Sequence, residues 1–298
     1  MAEVRVWRSE WREQGWEKAV KAEVELCWGT VRQAGLVELI DVAGRAGFDA
    51  ITVSPEQVFS SGLSGAELRS RLADSGVRIT NLDALVSVLP GLPGPAEIAA
   101  MKPYGTGLDV RGGFSITEDD FYRVADLSGA ESINVVHFCG DPATPLEALA
   151  EALSGVTRRA AARSLVISLE FLPGTAIPDI GTAARLVEMV GAPNLGIMFD
   201  TRHLARSGGT VEDLARHAAL VAATQFSDLR WTTRDDPNRL LPGEGDLPLG
   251  EMLALVRAAK PGVPIGIEVF STRLYDMPAA EAAALCAASM DRLLASEN

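Results

Sequence analysis

The sequence predicts a single closed (β/α)₈ barrel, the TIM-barrel architecture. From residue 23 onward, short apolar and β-branched segments alternate with amphipathic segments of helical period, a pattern typical of a parallel sheet covered by helices. Eight such strands can be counted, and the 298 residues of the chain are close to the roughly 250 that this barrel requires. The alternative is an open doubly wound sheet, but no strand-to-helix turn carries its usual glycine-rich nucleotide-binding motifs.

The strands and helices have recognisable boundaries, because Gly, Pro or Asp bounds the apolar segments. Strands are predicted at residues 24–30, 50–54, 77–82, 132–138, 165–171, 195–200, 223–229 and 264–270. Helices are predicted at residues 36–46, 65–75, 118–127, 146–162, 180–190, 211–221, 249–259 and 279–295. Residues 86–116 form a long Pro- and Gly-rich connection at a position where barrel loops shape the pocket. Residues 1–22 are predicted to be a short N-terminal extension, and residues 23–298 the barrel domain.

Composition limits the partners of the chain. Acidic residues outnumber basic ones by 40 to 27, and the formal net charge of −13 repels nucleic acid and anionic membranes. We therefore expect a small-molecule substrate and neither nucleic acid nor a membrane as partner. Three cysteines without C-x-x-C spacing, and no apolar segment of 18 residues, favour a cytoplasmic protein. A homo-oligomer is left open.

Polar side chains end four consecutive strands in the second half of the chain. They are Glu170 in LVISLEF, Asp200 in LGIMFD, Gln225 in ATQFSDL and Glu268 in IGIEVF. The carboxyl ends of barrel strands share one rim, so these side chains would converge if each points inward. His203 follows Asp200 by three residues, where a turn can bring it back over the same rim.

Three carboxylates that enter an apolar barrel need a compensating positive charge, since burying each one unpaired costs several kcal/mol. No lysine lies in these four strands, so a divalent cation is the expected compensation. The set of Glu170, Asp200, Gln225 and Glu268 offers only oxygen ligands, which favours Mg²⁺ or Mn²⁺ over Zn²⁺. The alternative is that the glutamates bond outward, to the backbone or to arginines of neighbouring loops.

Five segments together resemble a known family. L-E-F, F-D-T-R-H, Q-F-S-D-L, L-P-G-E-G-D-L-P-L and I-G-I-E-V-F look like the motifs of the xylose isomerase-like TIM-barrel superfamily, which includes sugar phosphate isomerases and epimerases. The resemblance implies metal ligands at Glu170, Asp200, position 225 and Glu268, and a substrate-facing loop at residues 239–246. Gln225 stands where these epimerases usually have a histidine, which implies a weaker metal site or its loss.

The predicted chemistry is proton transfer next to a carbonyl group. A cation that chelates a carbonyl and its neighbouring hydroxyl acidifies the α-hydrogen, so that a carboxylate can remove it and leave an enediolate. Glu170 and Glu268 are the predicted bases, one on each face of the substrate, and His203 is a hydrogen-bond partner or acid. The predicted substrate-binding residues are Trp28, His137, Arg202, Arg230, Arg239 and Glu244.

We therefore expect an isomerase or epimerase of a small hydroxy-carbonyl, sugar-like compound. Two alternatives stay open. Loss of a hydroxyl β to the acidified carbon would make the protein a dehydratase or lyase of a polyhydroxylated ring, similar to inosose or dehydroshikimate dehydratases. The replacement of histidine by Gln225 also fits a catalytically silent barrel that binds a small ligand.

Overall fold

A computed structural model describes residues 22–103 and 105–296 of the chain, so nearly all of the predicted N-terminal extension lies outside the described residues. Eight parallel strands form one barrel with helices in the connections, which confirms the predicted fold. The strands are β1 (Val24–Leu26), β2 (Ala50–Val53), β3 (Arg78–Leu85), β4 (Ser132–Val136), β5 (Val166–Glu170), β6 (Leu195–Asp200), β7 (Val221–Gln225) and β8 (Ile265–Ile267).

The helices of the described residues include the eight predicted ones and four short additional ones. They are α1 (Leu36–Ala46), α2 (Pro55–Ser60), α3 (Gly65–Ser75), α4 (Pro95–Ala100), α5 (Glu118–Ser128), α6 (Leu146–Ala161), α7 (Ile180–Val190), α8 (Thr201–Arg206), α9 (Val211–His217), α10 (Leu249–Ala259), α11 (Thr272–Tyr275) and α12 (Ala279–Ala295). None of them is long and apolar enough to cross a membrane.

The strands follow one another around the barrel in chain order, and β1 pairs with both β2 and β8. The seam between β7 and β8 closes just beyond β7, through a parallel bridge between Phe226 and Ile267. There the Phe226 N–H donates to the Gly266 carbonyl at 2.7 Å, and the Glu268 N–H donates to the Phe226 carbonyl at 3.0 Å. The carboxyl ends of all eight strands therefore surround one opening.

Local hydrogen bonds fix the helix boundaries. At the start of α3, the Ser64 hydroxyl accepts the Glu67 N–H and the Glu67 carboxylate accepts the Ser64 N–H, a reciprocal capping box. The same helix ends at Gly76, whose positive φ of 69° suits a residue without a Cβ. The predicted helix at 211–221 is shorter in the structure, because its last residues begin β7 at Val221.

Apolar side chains form two separate clusters. The main core fills the space between strands and helices and includes the fully buried rings of Phe121, Phe171, Phe199 and Phe226. A second cluster lies where β3, β4 and β5 end. It consists of Val86, Val136 and Leu172, with Ala84, Phe114 and Phe138 packed against it. All three cysteines are free.

Candidate functional site

A cavity of about 500 Å³ opens at the carboxyl ends of the strands. Polar side chains from β5, α8 and the end of β8 line it, together with two arginines: Glu170, Arg202, His203, Arg239 and Glu268. Asp200 and Gln225 are buried and do not line the cavity. The four predicted strand-end residues therefore lie at one end of the barrel, two at the cavity surface and two below it.

Asp200 positions His203 beside Glu170. Asp200 is the last residue of β6 and the N-cap of α8, where its Oδ1 accepts the His203 N–H at 2.7 Å. This cap turns the imidazole back over the strand ends, with Nε2 at 3.2 Å from Glu170 Oε1 and 3.8 Å from Asp200 Oδ2. One ligand atom from each of these three residues lies within 4.8 Å of the other two.

Arg239 lies between two of the carboxylates. Its Nη1 is 2.6 Å from Asp200 Oδ2 and 2.9 Å from Glu268 Oε2. Arg239 was predicted to bind substrate and not to balance the carboxylates, because it comes from the loop between β7 and α10 and not from a strand. Burial opposes its charge, yet Asp200 and Glu268 outweigh that effect and raise the pKa of Arg239. A basic side chain therefore supplies part of the charge that was assigned to a metal.

Gln225 joins the group through Glu268. Its Nε2 donates to Glu268 Oε1 at 3.0 Å. Its Oε1 is buried and has no hydrogen-bond partner among the described residues. An unpaired buried acceptor costs free energy, so this oxygen is suited to contact a donor or a cation.

Asp83 and Asn134 belong to the site although the sequence analysis did not identify them. The Asn134 Nδ2 donates to Asp83 Oδ1 at 2.8 Å and to Glu170 Oε2 at 2.6 Å. Asn134 lies in β4 and Asp83 in β3, and both are buried. The signal was present, since each is a polar residue between apolar neighbours: Asn134 in I-N-V-V of β4, next to β5, and Asp83 in L-D-A-L of β3, one strand further.

The site holds more acidic groups than Arg239 can neutralise. Burial raises the pKa of Asp83 to about 7, and Glu170 adds to the shift. Burial also raises the pKa of Glu268 well above its usual value, against the opposing effect of Arg239. Only for Asp200 do Arg239 and His203 outweigh burial and lower the pKa. The cluster therefore favours an additional proton or cation.

The donor groups fit a divalent cation. Glu170, Asp200 and His203 offer two carboxylate oxygens and an imidazole nitrogen at close range, and the unpartnered Gln225 Oε1 is a further oxygen. The imidazole removes the basis for preferring Mg²⁺ or Mn²⁺, since that preference assumed oxygen ligands only. The identity of the metal is therefore open. A cation held by Asp200 and Glu268 would share both carboxylates with Arg239.

Three of the predicted substrate-binding residues line the cavity: Trp28, Arg202 and Arg239. The other three are outside the lining. His137 is buried, with Nε2 at 2.9 Å from the Pro90 carbonyl oxygen.

The remaining two residues of this set contact solvent or another ion. Arg230 is exposed, and Glu244 forms an ion pair with Arg273 at 3.0 Å. Spacing alone could not separate substrate contacts from structural ones, because all six residues follow strands along the chain but only three of them line the cavity.

The L-P-G-E-G-D segment has a structural role that depends on Asp228. The carboxylate of Asp228 accepts the N–H groups of Gly243, Gly245 and Leu247 at 2.9 to 3.1 Å. A Cβ at position 245 would lie 2.3 Å from Asp228 Oδ1, so the close approach requires glycine. This anchor fixes the loop that carries Arg239.

A family model described as a xylose isomerase-like TIM barrel matches residues 40–293. The chain belongs to this family. It is 26% identical over 122 residues to an inosose isomerase of Halalkalibacterium halodurans, a match that covers 39% of this chain and 43% of that protein. The match thus spans less than half the length of this curated relative.

Solved structures share the fold of this member of the family. The crystal structure of an IolI protein with a zinc atom has a TM-score of 0.77 at 16% identity, over 93% of this chain and 99% of that chain. A probable 3-DHS dehydratase from Bacillus anthracis has a TM-score of 0.68 at 17% identity, over 90% and 98% of the respective chains.

Proposed function

We propose that the protein is a metal-dependent isomerase or epimerase of a small hydroxy-carbonyl, sugar-like compound. The observation that carries this proposal is that two glutamates, Glu170 and Glu268, line one cavity together with His203 and Arg239. The glutamates come from strands on different sides of the opening, so they approach a bound substrate from different directions. The similarity to an inosose isomerase supports the reaction class.

The two glutamates have complementary roles. Asn134 donates to Glu170 Oε2, so Glu170 Oε1, which lies 3.2 Å from His203 Nε2, is the oxygen that accepts the α-proton of the substrate. Burial raises the pKa of Glu268, which favours its uptake of a proton that it can deliver to the carbon from another side. Return to the same carbon inverts its configuration, and return to the former carbonyl carbon isomerises the compound. Arg239 donates hydrogen bonds to the substrate oxygens.

Glu170, Asp200, His203 and Gln225 are the proposed metal ligands, with Glu268 beside them. A divalent cation bound there would polarise the substrate carbonyl and stabilise negative charge on its oxygen. The zinc atom bound in the structure of the IolI protein supports a metal in this barrel. Cytoplasmic location, the lack of nucleic-acid or membrane partners and the domain boundary near residue 22 stay predictions.

Dehydration is the second candidate reaction. Its specific support is the raised pKa of Glu268, since loss of a β-hydroxyl needs an acid that donates a proton to the leaving oxygen. The structural similarity to a probable 3-DHS dehydratase points the same way. An ultraviolet-absorbing conjugated enone or diketone product would identify dehydration, and a product of unchanged mass would identify isomerisation.

Exchange of the substrate α-hydrogen tests the proton transfer. In D₂O, the protein should catalyse loss of the α-proton signal of a hydroxy ketone in the NMR spectrum. Glu170→Gln should slow this exchange at least about 100-fold, because an amide cannot accept the proton. Glu151→Gln, an exposed glutamate on α6, is the matched control and should exchange at the wild-type rate. Wild-type exchange in both Glu170→Gln and Glu268→Gln would refute the proposal.

Metal removal tests the cofactor. Elemental analysis of the purified protein should find a divalent metal, and dialysis against a chelator should abolish exchange until the metal is restored. Gln225→Ala should weaken metal affinity about 10- to 100-fold, because it removes one oxygen ligand. Full turnover by protein shown to be free of metal would contradict this assignment and favour Arg239 as the only cation of the site.

A further inference from the structure

One wall of the cavity is apolar and has no part in the proposed proton transfer. Ala84, Val86, Val136, Phe138 and Leu172 line the cavity and belong to the second hydrophobic cluster. They come from the ends of β3, β4 and β5, and Leu172 lies only two residues after Glu170. The wall is therefore directly beside the reactive carboxylates.

This cluster is not an extension of the main core. The described apolar side chains that fill the barrel and its helix layer form one continuous cluster, and these residues lie outside it. Val86, Val136 and Leu172 keep 9%, 5% and 8% of their surface exposed, whereas Ile133, Val135 and Leu169 from the same strands are fully buried. The remaining exposure faces the cavity, where water would contact apolar side chains.

The cavity is larger than a small hydroxy ketone bound to the polar side chains would need. A volume of about 500 Å³ lies within the range of roughly 300–1,000 Å³ that binds drug-sized ligands. A small hydroxy ketone would fill only the polar end of the cavity, next to Glu170, Glu268, His203 and Arg239. The apolar wall would stay in contact with water. A ligand that covers this apolar surface removes it from water, and this burial favours binding.

We propose that the substrate carries an apolar part, of the size of a ring or short alkyl chain, which packs against this wall while its hydroxy-carbonyl group faces the carboxylates. This inference rests on the proposed function and specifies its substrate class. The compound is an amphipathic hydroxy ketone rather than a fully hydroxylated sugar.

Two ketones that differ only in their apolar part test the wall. Hydroxyacetone and 2-hydroxyacetophenone share the same hydroxy-carbonyl group, but one carries a methyl and the other a phenyl group. Titration calorimetry with the full-length protein should give a dissociation constant at least about tenfold lower for the phenyl compound. Equal dissociation constants would overturn the proposal.

Variants of Leu172 test whether the apolar wall causes the preference for the phenyl compound. Leu172→Gln keeps a similar length but presents an amide to the ligand, and it should reduce the ratio of the two dissociation constants to below about threefold. Leu172→Met is the matched control, because it keeps an apolar side chain, and it should retain most of the ratio. Thermal unfolding of both variants checks that they fold. An unchanged ratio in Leu172→Gln, with the protein folded, would also overturn the proposal.

The exchange assay separates this inference from the proposed function. If neither ketone exchanges its α-hydrogen in D₂O but the phenyl compound binds more tightly in a Leu172-dependent way, the apolar subsite stands and the proposed reaction fails. If both ketones exchange and bind equally, the reaction stands and the subsite fails.

Discussion

Arg239 is the residue whose position most affects the chemistry of the site. Its Nη1 contacts both Asp200 and Glu268, and it also lines the cavity. A single guanidinium thus lies between two carboxylates and also faces the cavity. Because its pKa is raised, it stays charged whether or not a metal is bound.

Removal of this charge should destabilise the protein and make it depend on a metal. Arg239→Met leaves two buried carboxyl groups without their cation, so we expect the free energy of unfolding at neutral pH to fall by about 3 kcal/mol in metal-free protein. A saturating divalent cation should restore part of the loss. Urea unfolding with and without the cation measures both effects.

Arg230→Met is the matched control for this experiment, because Arg230 is exposed and outside the cavity lining. Its effect should stay below about 0.5 kcal/mol. A similar loss in both variants would show that Arg239 has no special role in balancing the buried charge.

At this scale, the sequence predicted which residues meet at the ends of β5 to β7, but it did not predict the ion pairs that Arg239 makes from its loop. Glu170, Asp200 and Gln225 are the last residues of their strands, so counting along each strand was enough to place them together. Arg239 reaches the centre through an irregular loop, and no periodicity predicts where such a side chain ends. The opposite error occurred at His137, which lies near a strand end but bonds to the Pro90 carbonyl.

The segment between β7 and α10 is the element that controls Arg239. Asp228 follows β7 by three residues. Its carboxylate accepts hydrogen bonds from the N–H groups of Gly243, Gly245 and Leu247. A further antiparallel bridge joins Asp228 to Leu240, the residue next to Arg239. One buried carboxylate thus organises a loop that has little regular secondary structure.

Weakening this anchor should loosen the loop and impair ligand binding. Asp228→Asn replaces a charged acceptor by a neutral one and forces an NH₂ group toward backbone donors, so we expect a loss of about 2 kcal/mol in the free energy of unfolding. Limited proteolysis should cut within residues 239–247 faster than in the wild type. Asp235→Asn, whose side chain is 82% exposed, is the control and should show neither effect. Resistance equal to wild type would mean that the loop does not depend on Asp228.

Helices were easier to predict than strand ends. Five of the eight predicted helices have the same bounds in the structure, for example Gly65–Ser75, because their apolar periodicity stops at capping residues that are visible in the sequence. The first and last strands are shorter than predicted. The predicted strand at residues 24–30 ends at Leu26, and its last residues belong to a 3₁₀ turn at Trp28–Val31.

At the scale of the whole molecule, the barrel interior contains a buried acidic residue remote from the proposed chemistry. Glu25 lies on β1, accepts a hydrogen bond from the Thr80 hydroxyl and is 3% exposed. Gly266 on β8 makes room for it, since a Cβ there would lie 3.2 Å from Glu25 Oε1. Burial, with a contribution from Glu23, raises the pKa of Glu25 to about 8.

This shift predicts how the stability of the barrel depends on pH. A carboxyl group with a raised pKa in the folded state stabilises the fold fully below its unfolded pKa, and this contribution is lost as pH rises toward about 8. Glu25→Gln keeps an acceptor for Thr80 but cannot ionise. Relative to the wild type, the variant should therefore gain about 3 kcal/mol in unfolding free energy between pH 5 and 9.

Urea unfolding across this pH range measures the difference between the two proteins. Glu251→Gln, an exposed glutamate on α10, controls for a general loss of negative charge from a chain of net charge −13. Parallel curves for wild type and Glu25→Gln would show that Glu25 does not titrate with folding.

Glu170, Asp200, Glu268 and Arg239 come from β5 to β8 and the loops after them, whereas most of the apolar wall comes from β3, β4 and the long connection of residues 86–117. The ligand scope of this barrel can therefore be redesigned by grafting that connection from another member of the family, while the reacting groups keep their supports. Duplication and drift offer evolution the same route: new substrates can be acquired by altering one half of the opening, with the inherited chemistry preserved in the other.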